Sequence, residues 1–292
     1  MILRFLLGDV LMVSFASLAR AQQAASPATD GEFVPAWAKE VVWYQIFPER
    51  FRNGDPTNDP TWASLEWPGQ VPEALWQPSG WTADWYARAP WEEAMGPDFY
   101  ENGVFHRRYG GDLQGVLDAL PYLDSLGVNA LYFNPVFQAA SLHKYDARTY
   151  RHVDPHFGPT PEADRRVIAG EDPTDPSTWE WTAADRLFLQ LVEAVHQRGM
   201  RIVLDYSWNH TGTQFWAFQD VLAHGPASPF ADWYRIDAWD DPATPDSSEF
   251  AYTGWAGVPE LPELRKVNLT GNPHEGVPYD GDLAIGPKTH IF

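Results

Sequence analysis

Arg201-Ile202-Val203-Leu204-Asp205-Tyr206-Ser207-Trp208-Asn209-His210 is the stretch on which the reading of this chain turns. An aliphatic run, Arg201 to Asp205, gives way at once to acid, hydroxyl, amide and imidazole groups. That change marks a buried strand whose end opens onto a polar rim. Just upstream, Ala183 to Arg198 carries Leu187, Leu191, Val192 and Val195 at helix spacing and closes at Gly199. Before it, Val128 to Phe133 reads as a second strand. Asp112 to Ser125 reads as a helix, with Leu113, Val116, Leu117, Leu120 and Leu123 on one face and Gly127 as its stop. Val41 to Phe47 is a β-branched and aromatic run, hence a first strand. Strand, helix, strand, helix, strand in this order means parallel strands joined by crossover helices.

Two α/β endings suit that order, a doubly wound sheet or an eight-stranded barrel. Neither Gly-x-Gly-x-x-Gly nor a phosphate-binding Gly-Lys-Ser/Thr follows a strand, which counts against nucleotide binding. In a barrel the loops after the strands hold the active site. Here those are the polar, aromatic stretches Asn53 to Gly103 and Tyr206 to Pro287, both read as loop-like. Loops of that length are uncommon in a compact domain unless they have a function.

The 292 residues carry 20 Lys+Arg against 40 Asp+Glu, a formal charge of −20. Nucleic acid is excluded as a partner, because its binders need a basic patch to replace condensed counterions. Acidity is compatible with cations and with neutral sugars, and it also keeps a protein soluble. Cysteine is absent, so there is no disulfide, no thiolate metal site and no Cys nucleophile. The 15 Trp, 12 Tyr and 16 Phe supply core area, and their ring faces also suit the C–H faces of sugars.

Residues 1–21 read as a secretory signal. Arg4 gives the basic start, Phe5 to Leu18 the apolar stretch (interrupted by Asp9), and Ala19-Arg20-Ala21 the cleavage site. The apolar run is too short to span a bilayer, so no membrane association is expected after cleavage. Residues 22–35 read as a flexible leader, and the expected location is secreted or periplasmic.

At this point four segments carry a resemblance. They are Trp43-Tyr44-Gln45-Ile46-Phe47-Pro48-Glu49-Arg50-Phe51, Tyr109-Gly110-Gly111-Asp112-Leu113, His143-Lys144-Tyr145-Asp146, and Asp205-Tyr206-Ser207-Trp208-Asn209-His210. In this order they resemble glycoside hydrolase family 13, the alpha-amylase family, in its neopullulanase and cyclomaltodextrinase-like group. The resemblance implies a partial (β/α)8 TIM barrel, about its first three strands, over 36–205. A long insertion after strand three follows over 206–286, and 287–292 would start a helix.

The family's nucleophile lies in a Gly-x-Arg-x-Asp stretch at strand four. Its acid/base Glu follows strand five, and a further Asp follows strand seven. None of these segments occurs here. Arg235-Ile236-Asp237 mimics one of them, but it follows Trp233-Tyr234 in a Pro- and Asp-rich stretch with no glycine-led strand before it. The expected function is therefore the N-terminal part of a retaining α-glucan hydrolase acting on maltooligosaccharide, cyclodextrin or pullulan, inactive as given. The catalytic carboxylates are expected beyond Phe292. The alternative is a non-catalytic α-glucan- and calcium-binding fragment.

The resemblance also assigns residues to sugar and metal. His210 would hydrogen-bond the reacting sugar, and neutral imidazole suits a polyol because it offers one donor and one acceptor. Tyr145 would stack on the same ring, with His143 and Asp146 beside it. Asp205 would orient the arginine that precedes the nucleophile, an arginine this chain lacks. Asn53, Asp55, Asn58 and Asp59 crowd oxygens into a short, glycine-containing turn of the kind Ca²⁺ prefers. In the resembling group such a turn is joined by a glycine carbonyl and an aspartate, here Gly110 and Asp112. Glu260-Leu261-Pro262-Glu263-Leu264 resembles a segment near the end of the insertion, where the group usually has Lys or Asp in place of Glu263 and Asn in place of Arg265. Trp208, Trp233, Trp239 and Trp255 are further candidates for sugar platforms.

Overall fold

The structure, a computed structural model, describes residues 34–265 apart from 66–68, 70, 82–83, 85 and 245–248. The expected signal, nearly all of the leader, and the helix start at 287–292 lie outside the described residues. The chain divides after Val41. Before that point the described residues form one 3-10 turn, Ala36–Lys39.

In the larger unit, β1 (Trp43–Ile46), β2 (Ala130–Phe133) and β3 (Arg201–Leu204) form a parallel sheet in the order β1-β2-β3. Helices α1 (Pro48–Phe51) and α2 (Pro90–Ala94) are short. Then follow α3 (Leu113–Ser125), α4 (Pro161–Ala169), α5 (Ala183–Gln197) and α6 (Trp216–His224). The three strands and the two long helices stand where the apolar spacing places them, each within a few residues. Asp112 is the cap of α3 rather than its first turn: its carboxylate accepts the Gly115 N–H at 2.6 Å. Both helices stop at glycines of positive φ, Gly127 and Gly199.

Register sorts the two faces. Tyr44, Leu131 and Ile202 lie side by side, as do Ile46, Phe133 and Leu204. These six meet Val116, Leu120 and Leu123 of α3 and Leu191 and Val195 of α5 in the main core. Trp43, Gln45 and Arg201 on the opposite face are exposed. That face is only partly covered among the described residues, although Ala130 on it is buried, and the described residues form no closed barrel.

The loop-like reading holds for 53–103, whose described residues carry only 3-10 turns and the short α2, but it needs correction over 206–265, the described part of Tyr206 to Pro287. Residues 206–265 hold α6 and an antiparallel pair, β4 (Ile236–Ala238) with β5 (Ala251–Tyr252). They close on their own core of Phe215, Phe218, Val221, Trp233, Tyr234 and Leu264. Leu65, Val71, Trp76, Trp91 and Phe99 form a third core in the first stretch. Scattered large aromatics bury enough area to hold irregular backbone without any period to reveal it. Trp233 is thus packing, not a sugar platform. Asp237 sits in the β4–β5 hairpin and accepts from Thr253 Oγ1 at 2.9 Å, so the Arg235–Asp237 mimic of the nucleophile segment is excluded by its setting as well as its sequence.

A buried polar network fixes the start of α5. Thr182 and Asp185 cap each other, and Asp164 of α4 accepts the N–H groups of Ala183 and Ala184, both at 2.9 Å. His152 lies between two carboxylates, Nδ1 at 2.8 Å from Asp185 and Nε2 at 2.9 Å from Glu171. Burial lowers the pKa of His152, but the two carboxylates outweigh it and hold the imidazolium above its ordinary 6.5. Burial likewise fails to keep Asp185 and Glu171 up, and both fall below their ordinary 3.8 and 4.5. The His152 contribution is therefore present below pH 6.5 and fades as pH rises through its raised value, whereas the carboxylate contributions fade in acid. Relative to His152→Gln, the wild-type chain should be about 1–2 kcal/mol more stable near pH 5.5. The gap should narrow by about pH 8.5. Urea unfolding at the two pH values reads this, and an equal gap at both would refute it.

Candidate functional site

Crossover helices α3 and α5 run back from the C-terminal ends of the strands, so the polar residues after those ends gather on one rim. Gln45 in β1 donates to Asn134, just after β2, at 2.8 Å. Asn134 Nδ2 lies 3.4 Å from Tyr145 Oη, and Tyr145 Oη donates to Asp205 Oδ2, after β3, at 2.6 Å. One hydrogen-bonded chain thus crosses the rim of all three strands. Asp205, expected to orient an arginine, accepts here from the phenol of Tyr145. Burial, reinforced by Asp205, pushes the Tyr145 phenol well above 10.0, and Tyr132 is raised for the same reasons. Both stay protonated and available as donors. Gln45, Tyr132 and Asn134 were not singled out in the sequence, although polar or phenolic groups at strand ends are the available signal.

His143 Nδ1 accepts the Tyr145 backbone N–H at 3.2 Å and lies 2.9 Å from Ser141 Oγ. Burial lowers its pKa, so the neutral ring keeps its proton on Nε2. Asp146 accepts the Ser141 backbone N–H at 3.0 Å and also the Ser141 hydroxyl. It closes the loop that presents His143 and Tyr145. Beneath them Lys144, at φ 64°, buries its amine 2.7 Å from Asp154 Oδ2 and 3.0 Å from the Ala139 carbonyl.

His210 is 2% exposed. Its Nδ1 lies 2.6 Å from Asn209 Oδ1, and the ring also faces the Tyr145 backbone carbonyl. Its Nε2 is buried without a hydrogen-bond partner among the described residues. Burial lowers the pKa, only partly offset by the Tyr145 backbone and Asp146, so the ring is neutral. Trp255 stacks on it at 5.0 Å and 24°, and the strand-like contact His210–Glu263 ties it to the end of the insertion. Trp208 stacks flat on Tyr206 at 4.5 Å.

The candidate metal residues also come together. Asp112, fully buried, accepts the N–H groups of Asp55 at 2.8 Å and Gly54 at 3.1 Å, with Asn58 Nδ2 at 3.4 Å. Asn53 Nδ2 donates to Asp59 at 2.5 Å. Gly54 and Gly110 are required by space. A Cβ on Gly54 would meet Gly115 N at 2.3 Å, and one on Gly110 would meet Asp59 Oδ1 at 2.2 Å. Two amide oxygens, Asn53 Oδ1 and Asn58 Oδ1, are buried without hydrogen-bond partners among the described residues. Burial raises the pKa of Asp59, and Asp112 and Asp55 add to the rise. Orphaned oxygens beside crowded carboxylates fit a hard cation. Among the described residues no three His, Cys, Asp or Glu side chains converge on one point, so such a site would depend on amide and backbone oxygens as well.

Known proteins resemble this chain over most of its length. Residues 45–169 and 182–261 match the model of the alpha-amylase catalytic domain, leaving 170–181 outside the match. The chain is 40% identical to neopullulanase 2 of Thermoactinomyces vulgaris over 235 residues, 80% of this chain and 30% of that protein. It is 34% identical to a cyclomaltodextrinase of Thermoanaerobacter pseudethanolicus, over 81% of this chain and 32% of that protein. The type III pullulan hydrolase from Thermococcus kodakarensis superposes with a TM-score of 0.52 at 30% identity, covering 77% of this chain and 32% of that one. The chain thus spans about a third of the length of the relatives it matches. On this match, which covers more than half of the chain, the chain belongs to the alpha-amylase family of glycoside hydrolases.

Proposed function

We propose that this chain supplies the sugar-holding sector of an α-glucan hydrolase, with maltooligosaccharide, cyclodextrin or pullulan as substrate. The observation that carries the reading is the hydrogen-bonded chain from Gln45 through Asn134 and Tyr145 to Asp205 across three strand ends. Protonated phenols and neutral imidazoles beside one carboxylate suit a polyol, which needs donors and acceptors but no strong charge. The orphaned Nε2 of His210 supports the same reading. A buried polar atom without a partner costs about 1–3 kcal/mol, and a sugar hydroxyl removes that cost.

Retaining glycoside hydrolysis needs two carboxyl groups about 5–5.5 Å apart. Asp205 is held by Tyr145, and no residue of this sector is assigned as its opposite number. We therefore expect the sector to bind and orient, while bond cleavage depends on strands four to seven of the family pattern. Asn53, Asp55, Asn58, Asp59, Asp112 and the Gly110 carbonyl would hold a Ca²⁺ ion, which would supply rigidity to the rim and take no part in bond cleavage. The signal-like residues 1–21 support export to a secreted or periplasmic location.

The test is release of reducing ends from maltoheptaose, cyclodextrin and pullulan by the purified 292-residue chain. No release above background is expected. Sustained turnover that disappears in Asp205→Ala would overturn the assignment. A second reading, a non-catalytic α-glucan- and calcium-binding protein, shares these contacts and differs only in lacking any catalytic partner.

A further inference from the structure

Residues 170–181 fall between the two ranges that match the family, yet the segment is firmly built. Glu171 pins its base: the carboxylate meets His152 Nε2 at 2.9 Å and Arg151 at 3.0 Å, and it accepts the Glu180 N–H at 2.8 Å. The Trp179 indole N–H closes the loop on the Asp172 carbonyl at 3.0 Å, and the Arg151 guanidinium lies 4.7 Å over the Trp179 ring. A loop this well tied has the means to bury its large apolar side chains. Instead Trp179 and Trp181 stay 40% and 60% exposed. With Trp216, Tyr150, Arg151 and Glu180 they line a cavity of about 390 Å³.

We propose that this cavity is a second α-glucan site that holds a stretch of glucan outside the cleft at Asp205. Indole faces match the C–H faces of pyranose rings, while Arg151 and Glu180 offer a donor and an acceptor for ring hydroxyls. The volume lies at the small end of ligand sites, about 300–1,000 Å³, which suits a short run of sugar units. The overall charge of −20, with Glu180 and Asp185 at the cavity, disfavours an anionic occupant and leaves a neutral polyol unopposed.

Position argues for the same ligand. Residue 181 immediately precedes α5, whose N-terminus lies on the rim where β2 and β3 end. Tyr150 belongs to the cavity wall, and its Oη also lies 2.7 Å from the Ser207 carbonyl, to which it donates, and 3.0 Å from the His210 carbonyl. The two sites therefore share a wall. This inference takes its ligand class from the α-glucan reading of the cleft, but it rests on different residues.

The test is native electrophoresis of the whole chain through gels containing amylopectin, read as an apparent Kd. Trp181→Ala, Trp181→Phe and His210→Ala are compared with wild type, and circular dichroism checks folding. Trp181→Ala is expected to weaken retention about tenfold. Trp181→Phe should recover most of it, and His210→Ala should keep part of it. If Trp181→Ala binds as wild type while His210→Ala loses retention, the cleft binds glucan and the second site is refuted. If the folded wild-type chain is not retained at all, both sites are refuted.

Discussion

Asp112→Ala should cost the fold about 3–5 kcal/mol and abolish any rise in Tm on adding Ca²⁺. The carboxylate caps α3 through Gly115 and gathers the Gly54 and Asp55 N–H groups while fully buried. Its removal leaves the buried Gly115 N–H and the half-buried Gly54 and Asp55 N–H groups unpaired. It also removes a proposed calcium ligand. Asp55→Ala separates the two effects. Asp55 is more exposed and holds only Thr57, with its N–H at 3.0 Å and its hydroxyl at 2.6 Å. That variant should keep most of the calcium-free stability and lose much of the calcium response. An ion at 100 times its Kd raises stability by about 2.7 kcal/mol, so the response is large enough to read in melting curves with calcium and with chelator. Identical curves for the wild-type chain in the two conditions would count against the ion site.

A comparable loss, about 3–5 kcal/mol, is expected for Lys144→Met. Asp154 is fully buried, and burial alone would raise its pKa. Lys144 and His156 outweigh that effect and hold the carboxyl below its usual range. Without the ammonium an unpaired charge remains inside. Lys144 also stands at φ 64°, where glycine is relaxed and lysine is not. Lys144→Gly therefore decides which feature dominates. If backbone strain governs, glycine stabilises. If the ion pair governs, as the 2.7 Å contact indicates, glycine is nearly as harmful as methionine. Chemical denaturation of the three proteins distinguishes these outcomes, and a stabilised Lys144→Gly would contradict the account. Because Lys144 lies between His143 and Tyr145, both substitutions should also weaken sugar binding.

The parts of the fold with a period were legible in the sequence. Leu113 to Leu123 and Leu187 to Val195 repeat on a helix face, and the strands are short β-branched, aliphatic or aromatic runs that give way to polar residues. The insertion was not. Phe215, Phe218, Trp233 and Tyr234 meet through contacts that sequence spacing does not encode. Helix α4 was missed because its charged residues, Glu162 to Arg166, hide an apolar face, although Thr160-Pro161 is a start signal. At the site, the motif residues fell on one rim as the family pattern implies. The bonds between them were hidden: Tyr145 with Asp205 and His152 with Glu171 join residues 60 and 19 positions apart, and only the folded chain brings them together. The exposure of Trp181 was equally invisible, since composition cannot separate a core tryptophan from a displayed one.

In the proposed sugar-binding sector at these strand ends, His210 meets the sugar through its buried imidazole. Isothermal titration of the folded chain with maltotetraose, wild type against His210→Ala, tests it most directly. Saturable heat that falls at least about tenfold in affinity on His210→Ala is the predicted result. Equal affinity in the two folded proteins, or no heat in either, would contradict it.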